Sequence, residues 1–181
     1  MNLPELKHPG YTLADWAAWE GRWELIDGVA YDMTPAPSYE HQRVSARIGN
    51  LLFNQLEAGR EKYGRPCELL HAPIDVFLGD SVVEPDLVVV CDPTKKTPRG
   101  IEGAPDLVVE ILSPRNATKD LTRKRWLYER EGVPEYLILD PIEQVGILLR
   151  LEAGRYVEAA HVEWSGVIEV LGGTLSLTLG T

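Results

Sequence analysis

The sequence predicts a single α/β (α+β) domain over residues 1–181, with a mixed central β-sheet flanked by helices and extended by additional antiparallel strands. Three observations carry this. Residues 107–140 run strand, helix, strand, a pattern whose two strands are expected to pair in parallel through a right-handed crossover. The stretch "SYEHQRVSARIGNLLFNQLEAG" places Val44, Ile48, Leu51, Leu52 and Leu56 at three- and four-residue steps, which makes one buried helical face. The middle of the chain is β-rich, with the apolar runs "CELLHAPIDVFLGD", "VVEPDLVVVCD" and "DLVVEILSP".

The elements follow in order. "TLADWAAWEG" predicts a short helix with a capping box between Thr12 and Asp15 and a stop at Gly21. "RWELIDGVAYDM" predicts a hairpin turning at Asp27-Gly28, a two-residue turn of type I′. Ser38 is positioned to cap the long helix, and Gly59 to end it. Residues 93–105 are rich in Pro, Gly, Lys and Thr and predict a loop. "TKDLTRKRWLYEREG" predicts a helix capped by Thr118, with Asp120 in its electropositive first turn and Gly132 past its end. Leu121 and Tyr128 are expected to face the core. "EYLILDP" suits a strand buried on both faces, and "QVGILLRL" a further strand reached by a turn at Ile142-Glu143. Residues 155–181 alternate weakly and predict edge strands.

Composition bounds the function. Of the residues, 44 % are hydrophobic and 25 % charged, as in a soluble globular protein. No apolar run approaches the ~20 residues of a membrane span, and "MNLPELKHPGYTLADW" lacks a basic-then-apolar leader pattern. Cys67 and Cys91 are expected to be reduced core residues of a cytoplasmic protein. The net charge of −10 argues against a broad basic surface for nucleic acid. Two local groups remain: Arg115, Lys119, Arg123, Lys124 and Arg125, and Lys95, Lys96 and Arg99. There is no P-loop, no glycine-rich dinucleotide motif and no C-x-x-C pair.

The chemistry is expected at two acids that break the apolar runs. Asp86 follows Pro85, and Glu110 closes Leu107-Val108-Val109. A buried carboxylate needs a cation or a set of donors, and two on neighbouring strands would share one divalent metal. An acid-x-lysine motif would put lysine at position 112, where Leu112 stands. A lysine on the following helix could reach the same space. Lys124 is the first candidate, four residues from Asp120 on one helical face, and Lys119 is its rival. The plainer reading has Glu110 paired with a nearby arginine, Asp86 ending a turn, and Lys124 in a surface ion pair. A glycosidase built on the two acids would leave Lys124 without a role.

The ordered set "ELIDG", His41, "EPDLVVV", "APDLVVEILSPRNATKDLTRKRWLYEREGVPEY" and "LDP" resembles the Uma2 family (DUF820) over about residues 20–150. These are restriction-endonuclease-like proteins of the PD-(D/E)xK superfamily. The resemblance implies a restriction-endonuclease-like core. It implies Mg²⁺ (or Mn²⁺) held by Asp86, Glu110 and the backbone carbonyl of Ile111, with the lysine displaced onto the helix at Lys124. It adds Glu24 as a supporting acid near the metal, and His41 as a residue that contacts phosphate or caps its helix. His71, Tyr128, Tyr136 and Asp140 read as structural. The expected activity is metal-dependent cleavage of nucleic acid, DNA first, by a homodimer whose interface the apolar C-terminal strands would supply. A non-catalytic binding module on the same fold is the alternative.

Overall fold

The computed structural model describes residues 10–34, 36–63, 67–114 and 119–180. Helix α1 (Leu13–Ala17) begins at the predicted capping box: Asp15 accepts the Thr12 N–H at 2.7 Å, and Thr12 accepts the Asp15 N–H. Strands β1 (Trp23–Ile26) and β2 (Val29–Asp32) form the predicted hairpin. Its turn residues Asp27 and Gly28 have φ of 50° and 76°, the left-handed pair that a type I′ turn requires. Helix α2 (Tyr39–Tyr63) starts beside the Ser38 hydroxyl, which accepts the His41 N–H. It runs through Gly59, correcting the predicted stop. An interior glycine costs about 1 kcal/mol relative to alanine, too little to end a helix held by packing elsewhere.

The two longer apolar runs divide at their prolines. "CELLHAPIDVFLGD" yields β3 (Glu68–His71) and β4 (Val76–Leu78), and "VVEPDLVVVCD" yields β5 (Ser81–Val83) and β6 (Leu87–Val90). Proline offers no N–H to a ladder, so the chain leaves one sheet at Pro73 and at Pro85 and joins another. The predicted loop 93–105 holds a 3₁₀ turn and two short strands, β7 (Lys96–Thr97) and β8 (Gly100–Glu102).

Strand β9 (Leu107–Ile111) pairs in parallel with β10 (Glu135–Asp140), as the strand–helix–strand pattern predicts. Between them lie a π-helical turn, Asp120–Lys124, and helix α3 (Arg125–Glu131), which stops at Gly132 with φ of 82°. Thr118, the predicted cap, lies outside the described residues, as does the side chain of Asp120. Leu121 is exposed, not core-facing. A π turn holds more residues than an α turn, so positions before it lose the α-helical register with Tyr128. The chain closes with β11 (Val145–Glu152), β12 (Arg155–Glu163), β13 (Val167–Val170) and β14 (Leu175–Thr178).

Two mixed sheets result. The first has the order β2-β1-β5-β4-β8-β7, and the second β12-β11-β10-β9-β6-β3. One face of the second sheet (Val88, Val108, Tyr136, Ile138) packs on Leu127 and Tyr128 of α3 and on Ile26, Val76 and Val83 of the first sheet. Its other face packs on Val44, Ile48 and Leu52 of α2. Strand β12 is the predicted edge, but β13 and β14 form a hairpin of their own. Its Ile168, Val170, Leu175 and Leu177 are buried against the α2 side of the core. These four side chains turn inward, and the exposed large apolar residues of the C-terminal strands are Val157 and Val167.

Cys67 and Cys91 form a disulfide, which corrects the expectation of two reduced core thiols. Cys67 precedes β3 and Cys91 follows β6, and the antiparallel register Glu68↔Val90 sets the two cysteines directly opposite. Among the described residues no helix is long and apolar enough to cross a membrane.

Gly146 on β11 packs closely under Ile168 and Leu179. A Cβ there would lie 2.3 Å from Leu179 Cδ1 and 2.9 Å from Ile168 Cδ1. Gly146→Ala should therefore lower stability by about 1–3 kcal/mol through overpacking, read as a lower thermal midpoint with an unchanged far-UV spectrum.

Candidate active site

Antiparallel pairing of β6 with β9 sets Leu87 opposite Val109. One residue further, the same register sets Asp86 opposite Glu110, so the two acids project from one face at the same end of the second sheet. Both line a cavity of about 580 Å³, together with Ile111 and Lys124. The sequence pattern thus located the pair. Pro85 contributes by ending the ladder just before Asp86, which frees that side chain to reach across to β9.

Asp86 is held through one oxygen. Its Oδ2 accepts the Ile111 N–H at 2.7 Å and lies 3.1 Å from Nε2 of His41. Among the described residues none bonds Oδ1, and the side chain keeps 17 % exposure. His41, expected to cap α2 or touch a phosphate, lines the cavity and contacts Asp86, which it helps to orient. It does so from the start of the long helix, where the Ser38 cap fixes the backbone.

Glu110 is 3 % exposed and Lys124 only 1 %. The Lys124 ammonium donates to Glu110 Oε1 at 2.7 Å, and Tyr128, one helical turn on, donates its hydroxyl to the same oxygen at 2.8 Å. Tyr128 had read as packing only. Its ring does pack, edge-to-face on Tyr136 at 5.0 Å, but its hydroxyl belongs to the site. Burial, and then the Glu110 carboxylate, push the Tyr128 pKa far up, so the hydroxyl stays protonated and donates. The four-residue spacing of Lys124 and Tyr128 is the sequence signal that points to this shared face.

Glu24 completes the arrangement from the first sheet. It is fully buried on β1, and its Oε1 lies 2.7 Å from the Lys124 ammonium. Its Oε2 accepts from Lys119 at 2.5 Å. Both candidate lysines therefore arrive, on different atoms. The π turn explains this: five residues apart would diverge on an α-helix but come to nearly one face in an i→i+5 turn. Glu24 does not line the cavity, so it stands one layer behind the two acids and holds the lysines. Its Oε1 also accepts the Glu84 N–H at 2.9 Å.

Two further residues went unread in sequence. Glu84 and Arg22 form a close ion pair on the cavity wall. Glu84 stands in "VVEPD" two residues before Asp86, and that proximity was the available signal. His71, read as structural, stands at the end of β3 and lines the cavity. Asp140 forms its turn as read, accepting the Ile142 and Glu143 N–H groups.

Among the described residues no three His, Cys, Asp or Glu side chains converge as a metal cage. Asp86, with Oδ1 unbonded, and Glu110 offer hard oxygen donors on one cavity wall. That set suits a cation which fills its other positions with water and phosphate oxygens, as Mg²⁺ does.

Known proteins bear on this arrangement. The Uma2 family model, described as "Putative restriction endonuclease", matches residues 12–180, including the tail beyond residue 150. An uncharacterised protein of Synechocystis, slr1290, is 28 % identical over 143 residues, covering 75 % of this chain and 72 % of that protein. A crystal structure of a "putative nuclease belonging to DUF820" from Anabaena variabilis superposes with a TM-score of 0.70 at 19 % identity. It covers 93 % of this chain and 95 % of that one. At that identity the likeness speaks for the fold, which the α+β architecture bears out.

The buried network should make stability depend on acid. Burial opposes ionisation of Glu24, but the Lys124 and Lys119 ammoniums outweigh it and hold its pKa below the ordinary glutamate value. A depressed folded-state pKa contributes stability above the unfolded value, and that contribution is lost as pH falls through the folded one. Glu24→Gln should cost about 3 kcal/mol at neutral pH in urea denaturation. The gap from wild type should close progressively below about pH 4.3. An undiminished gap in acid would refute the role of the Glu24 charge.

Proposed function

The chain belongs to the Uma2 family, and from that premise we propose that it is a divalent-metal-dependent endonuclease that hydrolyses nucleic-acid phosphodiesters, DNA first. The observation that carries this reading is the buried Lys124 ammonium, 2.7 Å from Glu110, on the wall of the cavity that Asp86 and Glu110 also line. A surface ion pair or a turn-forming acid would need none of that burial.

Asp86 Oδ1, the Glu110 carboxylate and the Ile111 carbonyl would hold Mg²⁺ or Mn²⁺. Such an ion, when bound, acidifies water and offsets charge on phosphate. The chain's own residues do the rest. The Ile111 N–H and His41 fix the Asp86 carboxylate in one orientation. Tyr128 and Lys124 fix Glu110. Lys124 also places a permanent positive charge at the cavity wall, where it stabilises negative charge building on the phosphate and steadies the attacking water. Glu24 and Lys119 are positioning residues: they hold Lys124 against Glu110 and balance the surplus of charge. Burial of the network keeps its donors from reorganising as charge develops.

One observation favours the non-catalytic alternative. Glu110 already has its charge met by Lys124 and Tyr128, so the fold does not need a metal to bury it.

Titration calorimetry with Mg²⁺ and Mn²⁺ separates the two. Wild type should bind a divalent ion, and Asp86→Asn should lose it with its fold intact. Absence of binding by wild type would refute the metal mechanism. In a plasmid-nicking assay, Lys124→Ala should lower the rate by about 10²–10³-fold. Lys124→Arg, which keeps the buried charge, controls for folding. Full activity in Lys124→Ala would exclude the role given to Lys124.

A further inference from the structure

The catalytic cavity is the first of three that join in series. Arg22, Pro73 and Glu84 belong both to it and to a second cavity of about 300 Å³. Pro73 and Asp75 belong both to the second and to a third, of about 360 Å³, which Lys96 and Arg99 line. The three cavities thus adjoin through shared walls, from the paired acids past Pro73 to the β7–β8 hairpin, and together make up a segmented groove. That hairpin carries the group of cations that the active site does not use.

The second cavity is walled by Trp16, Trp19 and Trp23, three of the five tryptophans of the chain. Their rings are set before any ligand arrives. The Trp16 indole N–H donates to the Trp23 carbonyl at 2.8 Å, and the Trp23 indole to the Glu20 carbonyl at 2.8 Å. Trp19 meets Tyr11 edge-on at 5.1 Å and Trp23 at 5.8 Å. Preset rings lose little freedom on binding, which favours stacking of a flat ligand.

The third cavity is lined by two cations, Lys96 and Arg99, and two acids, Glu68 and Asp75. The Arg99 guanidinium lies over the Phe77 ring at 4.3 Å and 4.0 Å from Glu102, and its side chain is 60 % exposed. Lys96 is 3.0 Å from Glu68. Three of the acids along the groove are paired with a cation: Glu84 with Arg22, Glu68 with Lys96, and Glu110 with Lys124. Burial, followed by Glu84, raises the Asp75 pKa above the ordinary aspartate value.

We propose that this groove is the track of a single-stranded polynucleotide, with Trp16, Trp19 and Trp23 forming a base-stacking subsite beside the scissile phosphate and Arg99 receiving a phosphate beyond it. This rests on the nuclease reading for the identity of the first cavity. A ring of tryptophans needs bases that are out of a duplex, since paired bases present only edges in the grooves. Sequence-tolerant single-strand binders combine these two parts, aromatic stacking and a cationic path. The preferred substrate is therefore an unpaired strand, DNA or RNA, or a duplex end or flap that supplies one.

The test is fluorescence anisotropy with a labelled oligonucleotide of about 12 nucleotides, in EDTA so that nothing is cut. Single-stranded DNA, its RNA counterpart and the matching duplex are compared. The single strands should bind at least ten-fold tighter than the duplex. Trp19→Ala should weaken single-strand binding by between about five- and about a hundred-fold, and Trp19→Phe should restore most of it. Arg99→Ala should reduce the salt slope by about 1. Equal or tighter binding of the duplex overturns the proposal, and so does unchanged single-strand affinity in Trp19→Ala. A Mg²⁺-dependent nicking assay keeps the two readings apart. Wild type that binds single strands through Trp19 yet cuts nothing upholds the groove and defeats the nuclease reading. Wild type that cuts duplex DNA, with Trp19→Ala binding and cutting alike, defeats the groove and leaves the nuclease reading standing.

Discussion

The structure depends on one buried positive charge. Lys124 sits between Glu24, on the first sheet, and Glu110, on the second, at 2.7 Å from each. Apolar packing of Ile26, Val76 and Val83 against Val88 and Val108 brings the two sheets together, but such packing is non-directional. The ammonium adds direction. Three buried charged groups are tolerable only if each has its partner in place, so the sheets cannot slide without stranding a charge. Tyr128 and Lys119 extend the same requirement outward, one along helix α3 and the other at the start of the π turn.

From that clasp the cavity inherits its order. Glu110 is anchored from behind, Asp86 from the side by Ile111 and His41, and both remain on the wall. Among the described residues five acids and three cationic side chains gather here: Glu24, Asp32, Glu84, Asp86 and Glu110 with Arg22, Lys119 and Lys124. Asp86 has as its described ion-pair partner His41, which is charged only when protonated. The place left for a cation coincides with the best-oriented carboxylate.

Much of this was legible because period and turn chemistry are local. The α2 face, the capping box, the Asp27-Gly28 turn and the parallel β9–β10 pair all follow from spacing and residue type. The acids were legible because a charge inside an apolar run demands compensation. Other features were hidden for specific reasons. Pro73 and Pro85 divide apolar runs between sheets, and composition does not say which ladder each half joins. The Cys67–Cys91 bond depends on register, which no spacing of cysteines reveals. The exposure of Leu121 and the double arrival of Lys119 and Lys124 depend on a π turn that α-periodicity misassigns. Tyr128 looked like packing because its ring is packing; only its hydroxyl is spent on Glu110.

The π turn gives the site an unusual kind of ruler. Lys124 and Tyr128 are referenced to helix α3, whereas Lys119 is referenced to Glu24 through the count of residues in between. Changes of residue type at Thr122 or Arg123, both exposed, leave that count untouched. Loss of a single residue there would convert the wide turn to an ordinary one. Lys119 would then swing away from Glu24, while Lys124 kept its place on Glu110. The segment is thus sensitive to length, so across divergent chains the spacing between the two lysines would itself be a record of the site.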